Sequence, residues 1–398
     1  VTHARRAVSD GATGAQVFGE VSTRTGRGRL APLPRRQAEP ACVWSRMGTW
    51  PDARIAGRRL PVAGAMSPPP GGAASNGEGG LVGAAAAEHV PVMLDRVAAL
   101  LAPALSPPGA VLVDATLGRA GHALALLDAH PGLLLIGVDR DIEAIDRSRR
   151  LLACHARRVT LVHARYDEIP AVLGRLGHPQ VQGVLFDLGV SSPQLDQPER
   201  GFSYAADGPL DMRMDRAQEL TAADVVNGYD AGRLAHVLHE YGEERHARRI
   251  AAAIVRVRAR AAINSTSRLS EIVRAAIPAA ARRTGGNPAK RTFQALRIEV
   301  NAELAVLERA IPGAMDALRI DGRIIVLAYH SLEDRIVKRA FAARVTDTTP
   351  AGLPVPLAAA RPTFQLLTRG AQRPAEDETT RNPRASSARL RGAQRVAA

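Results

Sequence analysis

Two cysteines in 398 residues, Cys42 and Cys154, lie far apart in unlike contexts, which excludes a disulfide framework and any cysteine-rich zinc site. Such sparse cysteine fits a reducing compartment, and no metal site is expected. No apolar run approaches the roughly 20 residues that span a bilayer, and the arginine-dotted N-terminus lacks the continuous hydrophobic segment of a secretory signal. The expectation is a soluble cytoplasmic protein. Acids are nearly missing from one stretch, residues 245–298, where 13 Arg and Lys stand against the single acid Glu271. Two phosphate-binding fingerprints are missing as well. The turn Gly118-Arg-Ala-Gly-His does not match G-x-G-x-x-G and lacks the lysine and hydroxyl residue of a P-loop, so neither NAD nor ATP is favoured.

The charge that is present is unevenly placed. Residues 1–60 carry 11 Arg against 4 acids and residues 361–398 carry 8 Arg against 3, so the two ends hold 12 of the net charge of +14. The body is nearly neutral overall, and a concentrated basic run within it implies a docking surface for a polyanion. Residues 1–85 are rich in Gly, Pro, Ala and Arg without periodicity and read as a disordered basic extension, with Met66 an alternative start.

Order is expected from about Glu88. Val111-Leu-Val-Asp-Ala-Thr-Leu-Gly-Arg-Ala-Gly-His reads as a strand passing into the glycine-bearing turn and then a helix over 123–129. Further strands are expected at Leu133–Val138, ending at Asp139, at Val159–His163 before Tyr166, and at Val184–Phe186, ending at Asp187. Strands alternating with helical patterns predict an α/β fold, a Rossmann-like parallel sheet with right-handed crossovers. Residues 86–210 would form its first part and 289–349 its second, the latter with a turn at Asp321-Gly-Arg and a strand Ile324–Tyr329 before His330. Between them, 211–288 reads as an inserted helical, basic, substrate-binding domain. In its run Glu243–Ala261, Ile250, Ile254, Val257 and Ala261 share one face while Arg245, Arg249, Arg256 and Arg260 share the opposite one. Residues 350–398 read as a loosely ordered basic segment or one wrapped over the body.

Ligands of open α/β sheets bind beyond the carboxyl ends of the strands. Four such ends carry chemistry here: the turn Gly118–His122, Asp139, Tyr166 and the loop Asp187-Leu-Gly-Val-Ser-Ser-Pro-Gln. A glycine turn admits a ligand to the backbone, and an acid ending the second strand can accept both hydroxyls of a ribose. Tyr166 is placed to lie against an adenine, and Asp187 to receive an amine. A ribose and an adenine without a pyrophosphate are consistent with S-adenosylmethionine. Taken alone, Asp187 could equally cap the next helix, and His330 could be a capping or core histidine.

Several long motifs in order now carry a resemblance. They are Asp114-Ala-Thr-Leu-Gly-Arg-Ala-Gly-His, Val138-Asp-Arg-Asp, Asp187-Leu-Gly-Val-Ser-Ser-Pro-Gln-Leu-Asp, Arg200-Gly-Phe-Ser-Tyr, Gly208-Pro-Leu-Asp-Met-Arg-Met-Asp, Tyr241-Gly-Glu-Glu-Arg, Arg291-Thr-Phe-Gln-Ala-Leu-Arg-Ile and His330-Ser-Leu-Glu-Asp-Arg-Ile-Val-Lys. The chain from about His89 to Pro383 resembles the ribosomal RNA small subunit methyltransferase H family. The resemblance implies N4-methylation of a cytidine in the decoding centre of 16S ribosomal RNA, within the small ribosomal subunit, by S-adenosylmethionine. It implies cofactor contacts from Ala120, Gly121, His122, Asp139, Tyr166, Asp187 and Gln194. The family usually has glycine where this chain has Ala120 and phenylalanine where it has Tyr166.

The exocyclic amine of cytosine is a poor nucleophile, whereas a sulfonium is already a strong methyl donor, so such an enzyme must align more than activate. Asp187 and the backbone of Val190–Pro193 are candidates to accept the amine N–H, with Ser191, Ser192, Pro193 and His330 as neighbours that hold the base. Arg245, Arg249, Arg256 and Arg260 are candidates for phosphate contacts that offset turning the base out of its stack. A DNA amino-methyltransferase, an RNA-binding protein with a decayed pocket and an NAD-dependent oxidoreductase are the competing readings. The oligomeric state stays open, a homodimer included.

Overall fold

The apolar runs that end in acids become the centre of a sheet. The computed structural model describes residues 90–282, 287–350 and 360–397; the extension expected over 1–85, with Met66, lies outside them. Among the described residues, β1 (Val111–Asp114), β2 (Leu134–Asp139), β3 (Val159–His163), β4 (Val181–Asp187), β5 (Leu318–Ala328), β6 (Phe364–Leu366) and β7 (Arg389–Arg395) form one sheet in the order β3-β2-β1-β4-β5-β7-β6. β1 to β5 pair in parallel, and β7 runs antiparallel to both β5 and β6.

The continuous burial of Val184, Leu185 and Phe186 reflects a sheet covered on both faces. Side chains alternate across a strand. Val184 and Phe186 therefore join one core with Ile311 and Met315, while Leu185 joins another with Leu101, Leu105 and Leu127. Around the sheet lie α1 (Leu94–Leu105), α2 (Gly121–Ala129), α3 (Ile142–Leu151), α4 (Ile169–Arg175) and the short α5 (Ser192–Asp196). Between β4 and β5 come α6 (Ala222–Gly228), α7 (Ala231–Glu240), α8 (Ala247–Arg258), α9 (Thr266–Ala276), α10 (Ala279–Arg282), α11 (Lys290–Asn301) and α12 (Glu303–Asp316). α13 (Ser331–Val345) follows β5, and α14 (Glu376–Arg381) precedes β7.

The helical stretch has its own core, with Val225, Leu234, Ile250, Ile254, Leu269, Val273, Phe293 and Leu296 in one cluster. Phe293, Leu296 and Val300 of α11 belong to that cluster, so the boundary read at 288/289 cuts through it. Only at Ala302, in the left-handed region with φ 50°, does the chain turn from α11 into α12, which packs on the sheet side. The helix expected over 243–261 is shorter. Glu243 is left-handed (φ 48°), α8 starts at Ala247 and ends at Arg258, and Arg245 and Arg260 flank it.

Two further readings change. Asp321-Gly-Arg is not a turn before a strand but an irregularity inside β5, where Asp321 takes φ 66° and the register with β4 shifts between Val181 and Gly183. The segment after 350 is not loosely ordered from residue 360 on, because β7 is wedged between β5 and β6. Its arginines are anchored. Arg391 donates to Asp334 at 2.7 and 3.1 Å and Arg389 at 3.3 Å, while Arg395 donates to the Leu318 carbonyl at 2.7 Å. Leu390 and Ala393 are fully buried beside them.

Candidate active site

Gly118, Gly121, His122, Asp139, Tyr166, Asp187 and Gln194 line one cleft of about 810 Å³ at the carboxyl ends of the strands. The turn after β1 is left-handed at Gly118 (φ 52°) and again at Ala120 (φ 56°), which caps α2. Ala120 itself does not line the cleft; it is fully buried, and its N–H donates to the Leu117 carbonyl at 2.6 Å. Gly121 is required by space, since a Cβ there would sit 2.6 Å from Cγ of Pro91. Asp139 accepts the Gly118 N–H on Oδ2 and the Asp141 N–H on Oδ1, each at 2.8 Å, which ties the acid to the turn. Each carboxylate oxygen keeps a lone pair for a further donor, as two ribose hydroxyls would need. Burial pushes Asp139 up to about 6 despite those bonds. Asp114, at the end of β1, is pushed up to about 7 by burial and by the charges of Asp187 and Asp139.

Asp187 ends β4, its N–H bonded to Thr116 Oγ1 at 2.6 Å. Its Oδ1 accepts the Tyr329 hydroxyl at 2.7 Å, and its Oδ2 lies 3.6 Å from Nδ1 of His122. Burial first, and the charge of Asp187 next, hold the Tyr329 phenol well above its ordinary value, so the hydroxyl keeps its proton. His122 Nε2 is 3.0 Å from the Val92 carbonyl, which only accepts, so that nitrogen carries the hydrogen. Tyr329 was not visible as a site residue. It follows β5, 142 positions after Asp187, and the sole hint was that a polar run begins there.

In the loop after β4, Ser191, Ser192 and Gln194 line the cleft and Pro193 does not. Gln194 is turned inward: its Oε1 accepts the Ser191 N–H at 3.0 Å and its Nε2 donates to Asp141 at 2.9 Å. Asp141 also takes Arg200 at 3.0 Å, and the same guanidinium nitrogen donates to the carbonyls of Arg213 and Met214 at 3.1 Å. This buried cluster joins the loop, the turn after β2 and the start of the helical region. Asp141, Gln194 and Arg200 each stand in a motif quoted from the sequence, but nothing local there pairs residues so far apart along the chain. His330 lines the cleft but also caps α13, with Nδ1 accepting the Glu333 N–H at 3.4 Å. Nearby, Tyr166 packs edge-on against Phe186 and its hydroxyl donates to the Glu303 carbonyl at 3.4 Å, while Glu303 pairs with Arg297 through two bonds of 2.8 and 2.9 Å.

Arg245, Arg249, Arg256 and Arg260 are exposed and make no ion pair among the described residues. Arg258 differs, donating to the Val226 carbonyl at 2.6 Å. Lys290 and Arg291, from the same basic run, reach the cleft itself. No group of metal-ligating side chains occurs among the described residues, and no helix there is long and apolar enough to cross a membrane.

A sheet of this order, with an acid placed for a ribose beside a glycine turn and no diphosphate-binding fingerprint, defines a Rossmann-like methyltransferase that uses S-adenosylmethionine. The chain belongs to the MraW methylase family, which it matches over residues 86–396. It is 62% identical over 314 residues to "Ribosomal RNA small subunit methyltransferase H" of Thermobifida fusca, covering 79% of this chain and 95% of that protein. It is 59% identical over 308 residues to the protein of the same name from Streptomyces avermitilis, covering 77% and 97%. Among solved structures, an rRNA methylase from Streptococcus thermophilus aligns over 78% of this chain and 99% of its own, with 10% identity and a TM-score of 0.36.

Proposed function

We propose that this protein methylates N4 of a cytidine in the decoding centre of 16S ribosomal RNA, within the small ribosomal subunit, in the cytoplasm. The observation that carries the reading is the carboxylate of Asp187, held at the end of β4 in the same cleft as the ribose-ready Asp139. The relatives' names place their activity on small-subunit ribosomal RNA, which supports the polymer assigned here.

The turn Gly118–His122, Asp139 and Tyr166 would hold the cofactor's ribose and adenine, and the acids at the ends of β2 and β4, both lining the cleft, suit a cationic ligand. S-adenosylmethionine supplies an already activated methyl group. What remains for the protein is alignment. Asp187 accepts an N–H of the amine, which directs the nitrogen lone pair and takes up positive charge as it develops. Ser191, Ser192 and the loop backbone border the base. Lys290 and Arg291 in the cleft, and Arg245, Arg249, Arg256 and Arg260 outside it, meet the phosphates that flank the turned-out nucleotide.

Labelled S-adenosylmethionine incubated with undermodified small subunits should yield N4-methylcytidine on nucleoside analysis, and Asp187→Ala should lower the rate by about 10²-fold or more. Label on another nucleoside, or on duplex DNA in preference to subunits, would sink the assignment.

A further inference from the structure

We propose that Ser331 and Arg335 of α13 form a binding site for one backbone phosphate of the substrate RNA, and that the carboxylate of Glu243 occupies this site until the RNA arrives. The inference rests on the function proposed above and adds a contact from the sheet region to those assigned to the helical region.

Glu243 stands in the connection between α7 and α8, while Ser331 and Arg335 lie one turn apart on α13. The two carboxylate oxygens are taken separately. The Ser331 hydroxyl donates to Oε2 at 2.6 Å, and Arg335 donates to Oε1 at 3.2 Å. A fork of two anionic oxygens meeting a hydroxyl and a guanidinium is an arrangement that a phosphodiester satisfies equally well. The hydrogen bond from Ser331 first, then Arg335 and the charge of Arg291, outweigh partial burial and hold Glu243 below the usual carboxylate range. These groups therefore favour an anion at that point. Glu243, Arg291 and Ser331 also line the cleft into which the target nucleotide would turn.

The occupant is exchangeable. Arg335 is 49% exposed and Glu243 47%, so an arriving phosphate reaches the pair directly. Exposed pairs between two long side chains hold weakly, whereas guanidinium bonds to phosphate are among the stronger ones. The main chain has little room to follow. A Cβ on Gly242 would lie 2.6 Å from the Arg291 carbonyl oxygen and 2.7 Å from that of Leu238, and Arg291 donates to the Glu243 carbonyl at 3.0 Å. The exchange therefore belongs to the Glu243 side chain, which leaves for solvent while the backbone stays. A small anion must displace that carboxylate unaided, but an RNA arrives with its other contacts already made, which raises the effective concentration of its phosphate at the site.

The test measures binding to small subunits, with S-adenosylhomocysteine present so that no turnover occurs, over a range of salt. Glu243→Gln should bind about two- to fivefold more tightly than wild-type protein. Arg335→Ala should bind about tenfold more weakly and lower the slope of log affinity against log salt by about 0.7. In the double variant the gain from Glu243→Gln should vanish, because the site it uncovers is gone. Calorimetry with S-adenosylhomocysteine should give each variant the wild-type cofactor affinity, which shows that it is folded. Weaker or unchanged binding by Glu243→Gln overturns the proposal, and so does a gain that survives without Arg335, which would mark the acid as a source of general repulsion. If wild-type protein transfers no methyl group to subunits, the substrate reading fails by itself. A short single-stranded oligocytidine then replaces the subunits, and the same pattern upholds the phosphate site while its absence overturns it.

Discussion

Two neighbours in one turn, Ala120 and Gly121, answer to different physical limits. A non-glycine residue in the left-handed region costs about 1–2 kcal/mol. Glycine at Ala120 would relieve that strain, lose about 0.8 kcal/mol of methyl burial and cost a further 0.5–1 kcal/mol of chain entropy. These terms nearly cancel, so Ala120→Gly should leave unfolding free energy within about 1 kcal/mol, which explains why this chain tolerates a side chain there. Gly121→Ala should instead cost about 1–3 kcal/mol by overpacking against Pro91, read by urea unfolding. Asp139 gives a prediction in pH. Its value rises from the ordinary 3.8 to about 6 in the folded protein, so the free protein loses stability as pH rises across that window, where the folded form alone still holds the proton. Ribose hydroxyls would donate to the ionised form. Calorimetric affinity for S-adenosylmethionine should therefore be flat above about pH 7 and weaken by up to about tenfold per pH unit below about 6, and Asp139→Asn should flatten the profile.

At the scale of elements, the central strands were legible because apolar runs stop at acids. The run Val184–Phe186 lies within a strand that begins earlier, at Val181, and ends at Asp187 as expected, since burial on both faces leaves no room for a polar residue between Gly183 and the strand's end. The seventh strand was hidden for the opposite reason. Arg389, Arg391 and Arg395 make it look like a solvated tail, and only the fold supplies Asp334 and the Leu318 carbonyl to meet them. Arg391 and Arg389 outweigh the effect of burial on Asp334 and hold it below the usual carboxylate range, which marks the contact as one made by the charged form. Leu390→Ala should accordingly cost about 2–5 kcal/mol in urea unfolding, as a buried leucine does, where a loosely ordered tail would register almost nothing. The same limit applied to the site. Asp139, Tyr166 and Asp187 could be placed at strand ends, but Tyr329 and Arg200 gain their partners from positions far along the chain, which no local pattern encodes.

Over the whole molecule, a balanced sheet region carries a helical region in which Arg245, Arg249, Arg256 and Arg260 are exposed and make no ion pair among the described residues. Charge so arranged contributes attraction that salt weakens. If Arg249 and Arg256 each meet a phosphate, Arg249→Glu with Arg256→Glu should weaken subunit binding and lower the slope of log affinity against log salt by about 1.5, while affinity for S-adenosylmethionine stays at the wild-type value. An unchanged slope would mark these arginines as ordinary solvated surface.

The place of β7 between β5 and β6 has a consequence for the order in which the sheet can close. Chain leaving β5 passes through α13, β6 and α14 before β7 fills the slot beside it. Until it does, β5 carries an open edge of unpaired N–H and C=O groups. The folding protein is therefore most exposed to mispairing with another chain just before its seventh strand docks.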